Sequence, residues 1–159
     1  MRGKTILTSG LGILALLGLY FAWYVWIGPY LHDKTLAKFS EQLFEIQLPD
    51  NAVLLDRISV VGQQEGNSDH CDYLAAIQLQ TELPKSALEN HYKNSYSGDS
   101  EVKFVWLDEE NPYTNKEFDP LVIFSLKDWI INKLDDSRSS VVIYIFESGM
   151  TSAIDRRCS

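Results

Sequence analysis

The chain has 159 residues, with 14 Lys/Arg against 22 Asp/Glu and a formal net charge of −8. From residue 30 onward the balance is 12 basic to 22 acidic, a net −10, so nearly all the acidity lies in the polar part of the chain. Such a surface repels phosphate backbones and excludes nucleic-acid binding, while about 130 residues suffice for one domain whose core needs no metal or staple.

Residues 5–31 contain no Asp, Glu, Lys, Arg or His. A helix over 5–27 would be about 35 Å long, enough for a hydrocarbon core of ~30 Å with modest tilt. In lipid a single segment satisfies its backbone hydrogen bonds as a helix. The cluster Tyr20, Phe21, Trp23, Tyr24, Trp26 and Tyr30 suits the headgroup boundary, where one side of each ring stays wet. The expectation is a short tail over 1–4 and a transmembrane helix over 5–29, with the bilayer as first partner.

A cleaved leader is the alternative, and Arg2 and Lys4 supply the basic start it needs. Its apolar run, however, would be 7–15 residues before a small-x-small site. Here the run is longer and ends in Tyr24-Val25-Trp26-Ile27-Gly28-Pro29, so an uncleaved anchor is expected. Arg2 and Lys4 nearly balance Lys34 and Lys38 across the span, and the short leading tail tips the reading to N-terminus inside, C-terminal domain outside. The expected location is the cell membrane, single-pass. Thr8 with Gly12 and Gly18 with Ala22 set small residues four apart, a spacing that lets two helices approach, so a homodimer is a candidate assembly.

Gly28-Pro29 is expected to break the span, since Pro lacks the next donor and clashes with the preceding turn. Residues 33–47 then carry Leu36, Phe39, Leu43 and Ile46 at alternating spacings of three and four, which predicts an amphipathic helix within a linker over 30–48. The soluble domain follows over 49–159. Residues 53–61 are dense in Val, Leu and Ile and predict a strand, 62–69 a loop, and 71–81 a second strand with a mostly polar outer face. Pro84 suits a first helical turn, Ser86 and Glu89 have capping-box spacing, and Leu88, Tyr92 and Tyr96 recur every four residues in a helix to about 94. A third strand spans 102–107, a carboxylate-rich loop 108–120, a strand 121–126 and a short helix 127–134. Residues 141–147 are apolar on both faces and predict a central strand. The fold class is α+β: one N-terminal transmembrane helix, then a small, mostly antiparallel sheet with helices on one face.

Chemistry is sparse. Asp69-His70-Cys71-Asp72 is the densest set of ligand types, yet strand neighbours point to opposite faces and His32 and His91 lie far away in sequence, so no metal or cofactor is expected. Pairing Cys71 with His91 as nucleophile and base lacks any local signature, and G-x-S-x-G, H-E-x-x-H and glycine-rich phosphate loops are absent. Asp108, Glu109, Glu110, Glu117 and Asp119 lack EF-hand spacing and read as a solvated loop. Cys71 and Cys158 are candidates for a bridge that would add about 4 kcal/mol through loop entropy, with two unpaired thiols as the alternative. Tyr92, Trp106 and Trp129 are candidate pocket residues, against the plainer reading that aromatics at this periodicity are core.

One N-terminal span, Leu48-Pro49-Asp50-Asn51-Ala52 leading into a strand, a Cys before the next strand, and a helix ending near His91-Tyr92 give a chain that resembles small bacterial membrane-anchored proteins of unknown function. The resemblance covers the middle third of the chain. It implies an α+β envelope domain and supplies no catalytic residues. The expected function is a membrane-anchored, non-enzymatic binding or accessory protein with a protein partner in the membrane or envelope. The alternatives are a small-ligand sensor and, last, a thiol- or carboxylate-dependent hydrolase.

Overall fold

The computed structural model describes residues 2–62, 70–107, 126, 129, 139–151, 155, 157 and 158, with side chains from residue 12 onward except at 150 and 151. The chain opens with helix α1 (Arg2–Ala22), passes through a single π turn (Trp23–Ile27) and continues directly as α2 (Gly28–Phe44). The expected break at Gly28-Pro29 does not occur. Pro29 offers no N–H to the carbonyl of residue 25, and its ring would strike that carbonyl in a regular helix. The wider turn removes the conflict: the Gly28 N–H bonds the Trp23 carbonyl, five residues back, and Pro29 then sits in the first turn of α2, where no donor is required. Over Gly12–Phe44 this continuous helix is long and apolar enough to cross a membrane.

The two ends of that helix meet different surroundings. Ile13, Leu14, Leu16, Leu17, Leu19, Tyr20 and Phe21 are between 59% and 68% exposed. Along α2 the buried positions are Gly28, His32, Phe39, Ser40 and Leu43, with Leu36 and Ile46 partly buried beside them. The stripe read over 33–47 therefore begins earlier, because His32 lies four residues before Leu36 on the same face.

Four strands follow: β1 (Ala52–Gly62), β2 (His70–Thr81), β3 (Val102–Trp106) and β4 (Ser140–Thr151), in the spatial order β1-β2-β4-β3, every pair antiparallel. The domain is α+β. β4 is central, and so is β2, which corrects the polar face expected for that strand: all but Gln80 of Cys71–Thr81 is buried, Asp72 and Gln78 included. Period-two alternation sends Tyr73, Ala75, Ile77, Leu79, Val141, Ile143 and Ile145 to one face, where α2 and helix α3 (Lys85–Ser95) cover them with Phe39, Leu43, Leu88 and Tyr92. Leu74, Ala76, Val105, Val142 and Tyr144 form a second cluster on the other face with Leu126 and Trp129. That cover leaves β2 no solvated side.

Local chemistry departs from expectation in three more places. α3 has Pro84 as its N-cap with no side-chain cap bond, so the Ser86/Glu89 capping box is not formed; the Pro84 carbonyl accepts from Ala87 and Leu88, and Glu89 pairs with Lys93. Leu126 is helical rather than extended, while Trp129 is helical as expected within 127–134. Gly62, expected to open a loop over 62–69, instead ends β1; the rest of that loop, the loop expected at 108–120, the strand at 121–125 and the rest of the helix at 127–134 lie outside the described residues. In β4 a bulge places three steps opposite two of β2, between Cys71↔Met150 and Tyr73↔Glu147, and Gly149 takes φ +79°, a conformation costly to any residue with a Cβ. Its N–H is bonded by the buried Asp72 carboxylate at 3.2 Å.

Candidate functional site

α2 ends at the start of β1, so β1 runs back toward the apolar helix and β2 begins beside it. This places Cys71, at the start of β2, next to His32, one turn into α2. Cys71 is joined to Cys158 by a disulfide with the Cα atoms 4.8 Å apart, and both sulfurs are fully buried. The bridge draws the end of the chain onto the base of the domain. His32 is 6% exposed; its Nδ1 pairs with the Tyr73 hydroxyl and its Nε2 lies 3.6 Å from Cys71 Sγ.

The tail grips this base through one carboxylate and one guanidinium. Asp155, buried, accepts the Arg157 backbone N–H at 2.9 Å and Arg157 Nε at 3.1 Å on Oδ1, while Oδ2 takes Nη2 at 2.6 Å. The Cys158 N–H bonds the Asp155 carbonyl at 2.9 Å, closing the turn that aims the sulfur inward. Arg157 also reaches across to α2, donating from Nη1 to Asp33 at 2.6 Å and from Nη2 to the Pro29 carbonyl at 3.0 Å. The planar fork suits this bridging role, because its donors diverge to several acceptors at fixed angles.

The electrostatics follow from these contacts. Burial pushes the Asp155 carboxyl up, but the hydrogen bonds and charge of Arg157 outweigh it and hold the group below its ordinary value, ionised. Arg157 in turn is raised, first by its bond to Asp155. The Tyr73 phenol is pushed up, chiefly by burial, against an opposing bond from Thr35. The result is a clasp: a covalent bridge plus an Asp155–Arg157–Asp33 chain, tying Asp155, Arg157 and Cys158 to α2 and β2.

The other expected site residues are not assembled into one place. Tyr92 is fully buried beneath Phe104, edge to face at 6.5 Å, and Trp106 lies partly buried on the same side with the Lys85 ammonium 5.0 Å above its ring. Trp129 packs on the opposite face of the sheet, its Nε1 donating to Asp56 at 3.0 Å. The sheet therefore separates Trp129 from Tyr92 and Trp106. A shallow polar cavity of about 360 Å³ lies elsewhere, between α2 (Lys38, Glu41, Gln42, Glu45) and the end of α3 (Ser95). His91 donates from Nε2 to the Gln47 carbonyl, 2.7 Å away, at the far end of α2 from Cys71, so the nucleophile–base pair is not formed. His70 lies 3.2 Å from Asp72, on the bulge side of β2.

Sequence reasoning missed His32, Asp155 and Arg157. For His32 a signal existed, its position four residues before Leu36 on the apolar stripe; for the two tail residues none did. No protein-family model, curated protein or solved structure matches the chain.

Proposed function

We propose that this chain is a single-pass membrane protein whose α+β domain stands outside the cytoplasm and acts as a non-enzymatic binding or accessory subunit. The observation that carries this reading is the continuity of one helix, apolar and uncovered over 13–21 and packed on the domain by one face, through His32, Phe39 and Leu43, further along. Exposed Leu and Ile along several turns is tolerated in lipid and strongly disfavoured in water. The domain thus continues from the apolar helix with no loop between them. The Cys71–Cys158 bridge supports the outward orientation, since disulfides persist in oxidising compartments. It also supports a non-enzymatic role, because it occupies the thiol that a cysteine nucleophile would need.

A reporter enzyme that is active only after export, fused after Ser159, tests the orientation: activity is expected, and activity only of a cytoplasmic reporter refutes it. Gentle detergent extraction followed by co-purification tests the accessory role; a lone monomer under several conditions refutes it. The ligand-sensor alternative has less support, since the sheet divides Tyr92 and Trp106 from Trp129.

A further inference from the structure

Four side chains with metal-ligating atoms converge at the clasp from three distant parts of the chain: His32 of α2, Cys71 of β2, and Asp155 and Cys158 of the tail. The ligating atoms of His32, Cys71 and Asp155 all lie within 4.8 Å of one another, and Cys158 Sγ is bonded to Cys71 Sγ. All four residues are more than nine-tenths buried. We infer that the dithiol form of this chain binds one divalent ion of the zinc class through Cys71, Cys158, His32 and Asp155.

The geometry suits that ion. Zinc bonds of about 2.3 Å to sulfur and about 2.05 Å to nitrogen, opened to a tetrahedral angle, set the two ligand atoms ~3.6 Å apart. His32 Nε2 and Cys71 Sγ stand 3.6 Å apart already. The other ring nitrogen is partnered by the Tyr73 hydroxyl. With the proton on Nδ1, that contact fixes the tautomer whose Nε2 lone pair faces the sulfur, the outer support typical of ligating histidines. Two sulfurs sharing one metal must move apart from bonding distance, and Cys158, in a turn of the tail rather than in the sheet, can supply the movement.

The exchange leaves the charge unchanged. A disulfide is neutral, and so is one divalent cation with two thiolates, so the net charge beside Asp155, Arg157 and Asp33 is the same in both forms. The clasp is also held without the bridge, by Arg157 on Asp155, Asp33 and the Pro29 carbonyl, which keeps the ligands in place once the sulfurs separate. The chemistry closes. A dithiol reductant gives two electrons and two protons to the bridge, becoming a cyclic disulfide, and Cys71 and Cys158 become thiols. Metal binding then displaces those two protons to the buffer.

The test uses the full chain in detergent micelles, reduced anaerobically with a dithiol, freed of reductant, and titrated with Co²⁺ alone. Saturation at one ion per chain is expected, with thiolate-to-cobalt charge transfer and the intense visible bands of tetrahedral Co²⁺, both abolished by Zn²⁺. His32→Gln is expected to weaken Co²⁺ binding at least tenfold, and the oxidised chain to show no thiolate band. Two titratable thiols without that band, a weak octahedral spectrum, or unchanged affinity in His32→Gln each overturn the inference. Thermal melting of oxidised His32→Gln verifies its fold, and Asp155→Asn, with the same expected loss, replaces it if it does not fold.

Discussion

Removing the bridge with Cys71→Ala/Cys158→Ala tests how much of the domain's stability comes from tying its tail to β2. The two cysteines are 87 residues apart, and closing a loop of that length lowers unfolded-chain entropy by about 4.6 kcal/mol at 25 °C. An unfolding entropy of about 2.1 cal/mol/K per residue over about 130 residues converts this to a Tm fall of ~17 °C. Residual compactness of the unfolded chain reduces the figure, so about 3–4.6 kcal/mol, or ~11–17 °C, is the expected window. Loss of two buried sulfurs can only deepen the fall. The assay is a thermal melt of the full chain in mild non-ionic detergent, read by near-UV circular dichroism as the cooperative change superposed on the signal of the micelle-embedded aromatics Tyr20, Trp23, Tyr24 and Trp26. Intact mass before and after reduction and alkylation counts the bridge directly. A loss below about 1 kcal/mol (~4 °C) would refute the reasoning, because it would mean that the unfolded ensemble gains little freedom when the tail is released.

Two further outcomes follow from the titrating groups. Asp155 is held below its ordinary value in the fold, so its contribution is fully present above that value and is lost as pH falls through the folded one; stability should drop in acid below about pH 4. Asp155→Asn should flatten that acid limb and, by weakening charge-assisted bonds, cost about 1.5–3 kcal/mol at neutral pH in chemical or thermal unfolding. Tyr92 behaves oppositely. Burial pushes its phenol up to about 12, so the folded state binds the proton more tightly, and stability should fall between about pH 10 and 12. Its hydroxyl has no partner among the described residues, so Tyr92→Phe should be neutral or stabilising by about 1 kcal/mol and should remove part of the alkaline loss, as read by melts across that pH range.

The sequence by itself determined what periodicity and composition carry. The apolar helix was legible because residues 5–31 carry no charged side chain over a length that matches a bilayer. β4 was legible as central because it is apolar on both faces, and α2 because Leu36, Phe39 and Leu43 repeat at helical spacing. Where the helix would end was misread: Pro29 removes one hydrogen bond, and only the three-dimensional chain reveals that a π turn absorbs the defect without ending the rod. The burial of Asp72 and Gln78 was equally hidden, since polar residues in alternation look solvated until the second face of the sheet acquires its own cover. The clasp lay furthest from reach. His32, Cys71, Asp155 and Cys158 span more than a hundred positions, and nothing local marks a carboxylate in a polar tail as buried. Tertiary structure alone brought them together, by returning β1 to the base of α2 so that β2 starts there, and by letting Arg157 neutralise a charge that could not otherwise leave water.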